Sequence, residues 1–299
     1  VKVFVRKRPL FEYEAAQNMY DVVSVVTSPV QRLMIAQQQD QTAENAVLLG
    51  AVAPSNQPRQ PGKLLIHNCM MHPDMRRMYH KACWFPSDRA FDEKTSNSTV
   101  YTMCAAPLVA HAAQGGVGTL FMYGQTGSGK THTMSGIEEA MAAHLFDLLG
   151  GPPSSTDDTN SHQKSAQVHL RYFELVGKRC VDLIGANTGI ELKLMNDGND
   201  AVRPNGASEP EVSSAVHLSQ LLKLGKKRRA TAATDINGGS SRSHAVCQLI
   251  INHGSANGLL TLVDCAGSER KEDSMYHDKE RQRESTEINA SLYVSCRPI

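Results

Sequence analysis

The chain has 299 residues, 40% of them hydrophobic and 20% charged, which excludes a disordered tail and suffices to bury one large core or two small ones. Its 31 Lys plus Arg against 30 Asp plus Glu leave a net charge of +1, so no global field holds it on nucleic acid or on an anionic membrane; any polyanion has to be met by a local patch. Seven scattered cysteines without a C-x-x-C pair point to reduced thiols rather than a disulfide framework.

Residues 1–5, Val-Lys-Val-Phe-Val, predict a short strand inside a sheet. The opening shows neither an initiator Met nor the apolar core of a signal peptide, the profile of a fragment excised from a cytoplasmic protein. Residues 31–62, rich in Gln and then strewn with Pro, Asn and Gly, predict a long, mobile surface insertion. From Thr95 to Gly129 there is no Asp, Glu, Lys or Arg, yet Asn97, Ser98, Pro107, His111 and Gln114 interrupt the apolar character too often for a bilayer span. Buried elements of a soluble fold are expected there: a helix over 97–113, strained in the middle by Pro107, and a strand over 118–123.

Met134, Ile137, Met141, Leu145 and Leu148 recur at helical spacing and predict a helix over 130–149. A Pro-, Ser- and Asp-rich loop over 150–165 precedes an alternating strand over 168–175. The next helix is expected over 213–229, where the cationic cluster 226–229 complements the helix dipole as a solvated end or as part of a surface facing an acidic partner. Strands over 246–251 and 259–263, the second running straight into Asp264, and a helix over 279–292 complete the order. Strands alternating with helices, without an internal repeat, predict an α/β fold whose sheet is mostly parallel or mixed and covered by helices on both faces.

Three segments carry chemistry. Gly124-Gln125-Thr126-Gly127-Ser128-Gly129-Lys130-Thr131 satisfies G-x-x-x-x-G-K-[ST] between a predicted strand and a predicted helix. Glycines let backbone amides wrap phosphates, Lys130 reaches the β- and γ-phosphates, and the Thr131 hydroxyl is suited to Mg²⁺. Asp264, delivered to the carboxyl edge of the sheet, is a second magnesium candidate, and Gly267 of Asp264-Cys265-Ala266-Gly267 can turn its amide toward a γ-phosphate. The loop Asn237-Gly238-Gly239-Ser240-Ser241-Arg242-Ser243-His244 adds hydroxyls for the cation or for water, and Glu269 is the acid that Arg242 would meet across space.

These segments resemble the phosphate loop and the two switches of a kinesin motor domain. The agreement extends to Arg6-Lys7-Arg8-Pro9, to Phe91-Asp92, to residues 97–101 and to Glu287-Ile288-Asn289-Ala290-Ser291-Leu292. The resemblance implies a P-loop NTPase of the kinesin motor fold, one domain over 1–299, that hydrolyses ATP to ADP with Mg²⁺ and binds microtubules or tubulin. By it, Arg6, Arg8 and Pro9 serve the adenine side with His132 stacking nearby; Thr131, Ser241 and Asp264 hold Mg²⁺; Asn237 and Ser240 help bind the γ-phosphate or the lytic water; and Arg242 with Glu269 closes the site. Neither nucleic acid nor membrane is an expected partner, the location implied is the microtubule cytoskeleton of the cytoplasm, including spindle or flagellum, and the oligomeric state is left open. Residues 5–10, 106–109, 242–245 and 278–292 are similar to the internal-motor branch, which removes tubulin from microtubule ends.

The family pattern is departed from in three places. Met134-Ser135-Gly136-Ile137 leaves no room for the insertion that motors carry beside the nucleotide, so inhibitors of that loop would have no site. The Lys-Val-Asp hairpin tip of the depolymerising branch is replaced by Met71-His72-Pro73-Asp74-Met75-Arg76-Arg77, in which Asp74, Arg76 and Arg77 are the chemical substitutes. The chain stops at Ile299, which reads as a C-terminal truncation short of the last strand and much of the microtubule face.

Cys69-x-x-His72 and His80-x-x-Cys83 have ligand types and spacing for a tetrahedral zinc ion, a coincidence expected in a chain this rich in His and Cys. Cys265 reads as a small buried residue, and Trp84 and Phe85 as core. Two rivals stand beside the motor: a switch GTPase, disfavoured because no Asn-Lys-x-Asp guanine-reading segment occurs, and a module that holds nucleotide on microtubules with little turnover.

Overall fold

The structure, a computed structural model, describes residues 1–26, 62–150, 166–177, 179–186, 191–196, 202–235, 242–253 and 256–268. It divides into two compact units, Val1–Ser96 and Asn97–Ile299, each described by itself. Nearly all of the expected insertion, and the helix expected over 279–292, lie outside the described residues.

In the first unit β1 (Phe4–Arg6) pairs in parallel with β5 (Arg89–Phe91), and α1 (Glu12–Ala16) follows β1. β2 (Val23–Val26), β3 (Lys63–Met71) and β4 (Met78–Pro86) form an antiparallel sheet of order β2-β3-β4. Val26, Leu64 and Leu65 bury the base of the long β3–β4 hairpin, whereas Met70, Met71, Met75 and Met78 are exposed at its tip. The tip is closed by His72 N–H donating to the Arg77 carbonyl at 2.8 Å and by the Asp74 carboxylate, which accepts from Arg76 N–H at 2.9 Å and pairs with Arg77 at 2.9 Å. Trp84 and Phe85, expected in the core, are 37% and 49% exposed, because they sit on this thin hairpin.

In the second unit α2 (Asn97–Val100) passes through a π-helical turn at Tyr101–Ala105 into α3 (Ala106–Ala113). Pro107 therefore falls in the first turn of α3, where its missing N–H is tolerated, and the wider turn ahead of it absorbs the strain expected from the sequence. Then come β6 (Val117–Met122), α4 (Lys130–Leu148), β7 (Gln167–Val176), β8 (Arg179–Asp182), β9 (Glu191–Asn196), β10 (Val202–Asn205), α5 (Ala215–Asp235), β11 (His244–His253) and β12 (Ala256–Asp264). α4 is one unbroken 19-residue helix, so the loop insertion missing from the sequence leaves no interruption behind.

The strands form one seven-stranded sheet of order β10-β9-β8-β7-β11-β12-β6. Among the described residues only the β12/β6 pair of this sheet is parallel, which makes the sheet mixed and corrects the mostly parallel alternative. Opposed residues share a face, so the register puts Gly118, Gly258, Leu260, Leu262, Asp264, Leu249, Leu170 and Glu174 on one side. α3 lies on that side so closely that a Cβ on Gly258 would stand 1.8 Å from the Ala112 carbonyl oxygen. Ile137, Met141 and Leu145 of α4 and Leu218 of α5 are fully buried beside Leu170, Leu249 and Leu260, the apolar burial that drives the fold. The opposite side carries a smaller cluster of Phe173, Val246, Val263, Cys180, Leu192 and Cys265.

Candidate nucleotide-binding site

β6 and β12 run side by side in parallel, with Met122 opposite Asp264, so both deliver their carboxyl ends to one edge of the sheet. From Met122 the chain crosses into the glycine loop and enters α4 at Lys130, with Gly129 as N-cap at φ +91°, a left-handed backbone that side chains resist. Gln125, Thr126 and Gly127 are exposed at the crest. The loop is pinned from both flanks: Ser128 N–H donates to the Gln125 carbonyl and Ser268 N–H to the Gly124 carbonyl, each at 3.2 Å. Lys130 Nζ folds into the curve and donates to the carbonyls of Gly124 at 2.8 Å and Gln125 at 2.9 Å. Amides, a helix N-terminus and an ammonium thus surround one concavity, the arrangement that receives polyphosphate.

Beside it, Thr131 Oγ1 donates to Oδ2 of Asp264 at 2.8 Å, joining residues that lie 133 positions apart. Arg229 Nη1 donates to the same oxygen at 2.7 Å, and its Nη2 to the Ser243 carbonyl at 2.9 Å. Arg229 Nε stands 3.4 Å from Oε1 of Glu174, which accepts a short hydrogen bond from Ser243 Oγ. His244 Nδ1 accepts from Ala266 N–H at 3.2 Å, tying the segment after β12 to the start of β11. Burial, and after it the charge of Arg229, lowers the His244 pKa against the opposing pull of Asp264, which favours the neutral ring that accepts this bond.

The second carboxylate oxygen of Asp264, Oδ1, is buried and has no hydrogen-bond partner among the described residues. An unpartnered carboxylate oxygen next to a threonine hydroxyl is a hard-oxygen donor set, so these residues fit Mg²⁺. Glu138 Oε2 and Gln248 Oε1 are buried without a hydrogen-bond partner too, so it is the neighbouring Thr131 hydroxyl that makes Oδ1 a candidate for the cation.

Of the residues singled out from sequence, the structure brings together 124–131, Asp264 and the segment through Gly267 and Ser268. Gly267 is buried, His132 is exposed on the first turn of α4, and Arg242 is half-buried ahead of β11. Asn237, Ser240, Ser241 and Glu269 lie outside the described residues. In the first unit, Arg6 Nη2 donates to the Thr95 carbonyl at 3.0 Å, while Arg8 pairs with Glu14 at 2.5 Å and lies over the Phe11 ring, next to Pro9.

Arg229 was not expected here. The sequence placed 226–229 at a solvated helix end, but α5 continues to Asp235 and Arg229 is only 5% exposed. The signal was present: Leu218, Leu222, Gly225 and Arg229 follow the four-three-four spacing of one buried stripe. Its neighbour Arg228 is also engaged, donating to the carbonyls of Leu183 at 3.1 Å and Gly185 at 2.7 Å. The zinc reading fails on geometry. Cys69 and His80 are cross-strand partners on one face of the hairpin, Cys83 points to the other face, and His72 pairs with Asp74 in the turn. Among the described residues no group of three or more His, Cys, Asp or Glu side chains is placed to hold a metal ion, and no helix is long and apolar enough to cross a membrane.

A strand, a glycine loop closed around a lysine, a helix and an acid from the adjacent parallel strand define a P-loop nucleotide-binding fold. The family model of the kinesin motor domain matches residues 6–296, and the chain belongs to that family. It is 36% identical over 233 residues to the diatom spindle kinesin-1 of Cylindrotheca fusiformis, a match covering 77% of this chain and 35% of that protein, so the chain spans about a third of that relative's length. Among solved structures it is similar to a two-heads-bound KIF14 dimer with AMP-PNP in complex with a microtubule, at TM-score 0.67 and 26% identity over 99% of this chain and 75% of that one. It also shares the fold of a fast kinesin, at TM-score 0.70 and 23% identity over 97% of this chain and 71% of that one.

Proposed function

We propose that the chain is the ATP-hydrolysing head of a microtubule motor, with turnover coupled to microtubule binding. The observation that carries this reading is Asp264, anchored through Oδ2 by Thr131 and Arg229 beside the phosphate loop while its buried Oδ1 stays open for a cation. Family membership supports it, as does the likeness to a head whose complex contains AMP-PNP and a microtubule.

Lys130 and the loop amides neutralise and orient the phosphate chain. Thr131, Asp264 and Ser241 would hold Mg²⁺, which would supply further neutralisation of the charge that develops on the phosphoryl oxygens. Asn237, Ser240 and the Gly267 amide meet the terminal phosphate or the lytic water, and Arg242 with Glu269 closes the site; these roles rest on the motifs. The base-side roles of Arg6, Arg8, Pro9 and His132 likewise rest on motif alone. Arg229 balances Asp264 and Glu174 from beneath and holds the carboxylate in place.

Location on microtubules in the cytoplasm follows from this reading. Filament shortening, as in the internal-motor branch, is a second reading that stands on sequence segments; the exposed turn carrying Asp74 and Arg77 on a long hairpin is the observation that favours it. The test is ATP turnover with and without microtubules, for the chain and for Lys130→Ala, with filament length followed by imaging. Microtubule-stimulated turnover abolished by Lys130→Ala supports the motor. Binding without turnover selects the nucleotide-holding module instead, and shortening of filaments selects the second reading.

A further inference from the structure

Glu138 is an acid in the wrong company. It lies on α4 among Met134, Ile137, Met141 and Leu145, all buried, and its own side chain is only 3% exposed. Its partner is Lys226 of α5, whose Nζ stands 2.5 Å from the carboxylate and whose side chain is 33% exposed. Burial raises the Glu138 pKa and Lys226 opposes that rise. A pair of this kind contributes little net stability compared with apolar packing, and its best attested use is to fix register between elements.

The register at stake is visible from where the pair sits. Glu138 is seven residues beyond Thr131, two turns along the same face of α4 and about 10 Å away at about 1.5 Å per residue. Lys226 is three residues ahead of Arg229 on α5, about 4.5 Å along the axis. Thr131 and Arg229 meet on Oδ2 of Asp264. The contacts close a ring that runs Thr131, Asp264, Arg229, Lys226, Glu138 and back along α4 to Thr131. Two links of unequal spacing fix both the tilt and the slide of one helix against the other, which a single link cannot do.

Resting on the nucleotide-site reading above, we infer that the Glu138–Lys226 pair is a positioning device: it sets the height of Arg229 against Oδ2 of Asp264, and so keeps Oδ1 available to the magnesium shell. Neither residue touches nucleotide. Their loss acts through Arg229 and shows as a weaker hold on the cation.

The experiment measures binding of a fluorescent ADP analogue to the full chain as free Mg²⁺ is varied, alongside the thermal midpoint, for Lys226→Met, Glu138→Gln and the double variant. Each single change is expected to raise the half-saturating Mg²⁺ by about fivefold, and the double variant to raise it no further, because the two residues act as one unit. Lys226→Met, at a partly exposed position, keeps the test open should Glu138→Gln fail to fold. Arg228→Met removes a neighbouring cation outside the ring and is expected to leave the magnesium requirement unchanged. A lower thermal midpoint with an unchanged magnesium requirement overturns the inference, as does an equal shift in Arg228→Met. Wild-type chain that binds no nucleotide overturns the site reading and this inference together, whereas wild-type binding with unaltered variants overturns the inference alone.

Discussion

Arg229 and Asp264 form a buried ion pair at 2.7 Å, one from the middle of a helix and the other from the last position of a strand. Taking away Arg229 leaves the buried carboxylates of Asp264 and Glu174 without their shared cation. Arg229→Met is expected to lower the unfolding free energy by about 3 kcal/mol in a denaturant titration. The companion Arg229→Met/Asp264→Asn is expected to recover part of that loss; a double variant no more stable than the single one argues against the pair as the cause.

Lys130 holds two carbonyls of its own loop at 2.8 and 2.9 Å, the contacts that phosphate oxygens would replace. Lys130→Ala is expected to cut ATP turnover by about a hundredfold or more, the scale of removing one donor that acts on developing charge. Turnover within a few-fold of wild type would place the chemistry elsewhere.

The latch proposed between Arg242 and Glu269 would make a different demand on the kinetics. Glu269→Ala should retain ATP binding and lose most turnover, because closure positions the reaction rather than the nucleotide. Equilibrium binding and single-turnover hydrolysis, measured on the same preparation, separate the two; an unchanged rate removes the latch.

Gly258 carries the contact between α3 and the sheet. Gly258→Ala puts a methyl carbon 1.8 Å from the Ala112 carbonyl oxygen, so helix and strand must separate. Overpacking of this kind costs about 1–3 kcal/mol, read as a lower midpoint in chemical unfolding. A midpoint equal to wild type would mean that α3 yields freely.

In the first unit, hydrogen bonds from Arg8, followed by the Phe11 amide, hold the Glu14 carboxyl down at about 2. Its folded value lies below the ordinary carboxylate value of about 4.3. The stabilisation is therefore complete above about pH 4.3 and is lost as pH falls toward about 2. Glu14→Gln is expected to flatten the acid-unfolding profile of this unit inside that window and to leave its slope near neutrality unchanged.

The glycine loop and Asp264 were legible in the sequence because their chemistry depends on spacing within a few residues, and the strands that position them are short apolar runs. Arg229 was hidden by its setting. Lys226, Lys227 and Arg228 around it look like a solvated end, and only the stripe through Leu218, Leu222 and Gly225 reveals that Arg229, alone of the four cations, is buried. The β3–β4 hairpin escaped for a related reason. Trp84 and Phe85 are large and apolar, which suggests burial, yet they lie on β4, the edge strand of a small three-stranded sheet, and stay 37% and 49% exposed. The pairing of Cys69 with His80 across strands, rather than with His72 along one, is set by register, which the linear spacing of ligand types does not encode.

Because α4 has no break over 19 residues, it is a rod about 28 Å long with the phosphate loop at one end. A tilt of about 3° at Lys130 carries Leu148 through roughly 1.5 Å at that length. An unbroken helix of that length has stiff-lever geometry, in which a small tilt at the loop end corresponds to a larger displacement at the far end.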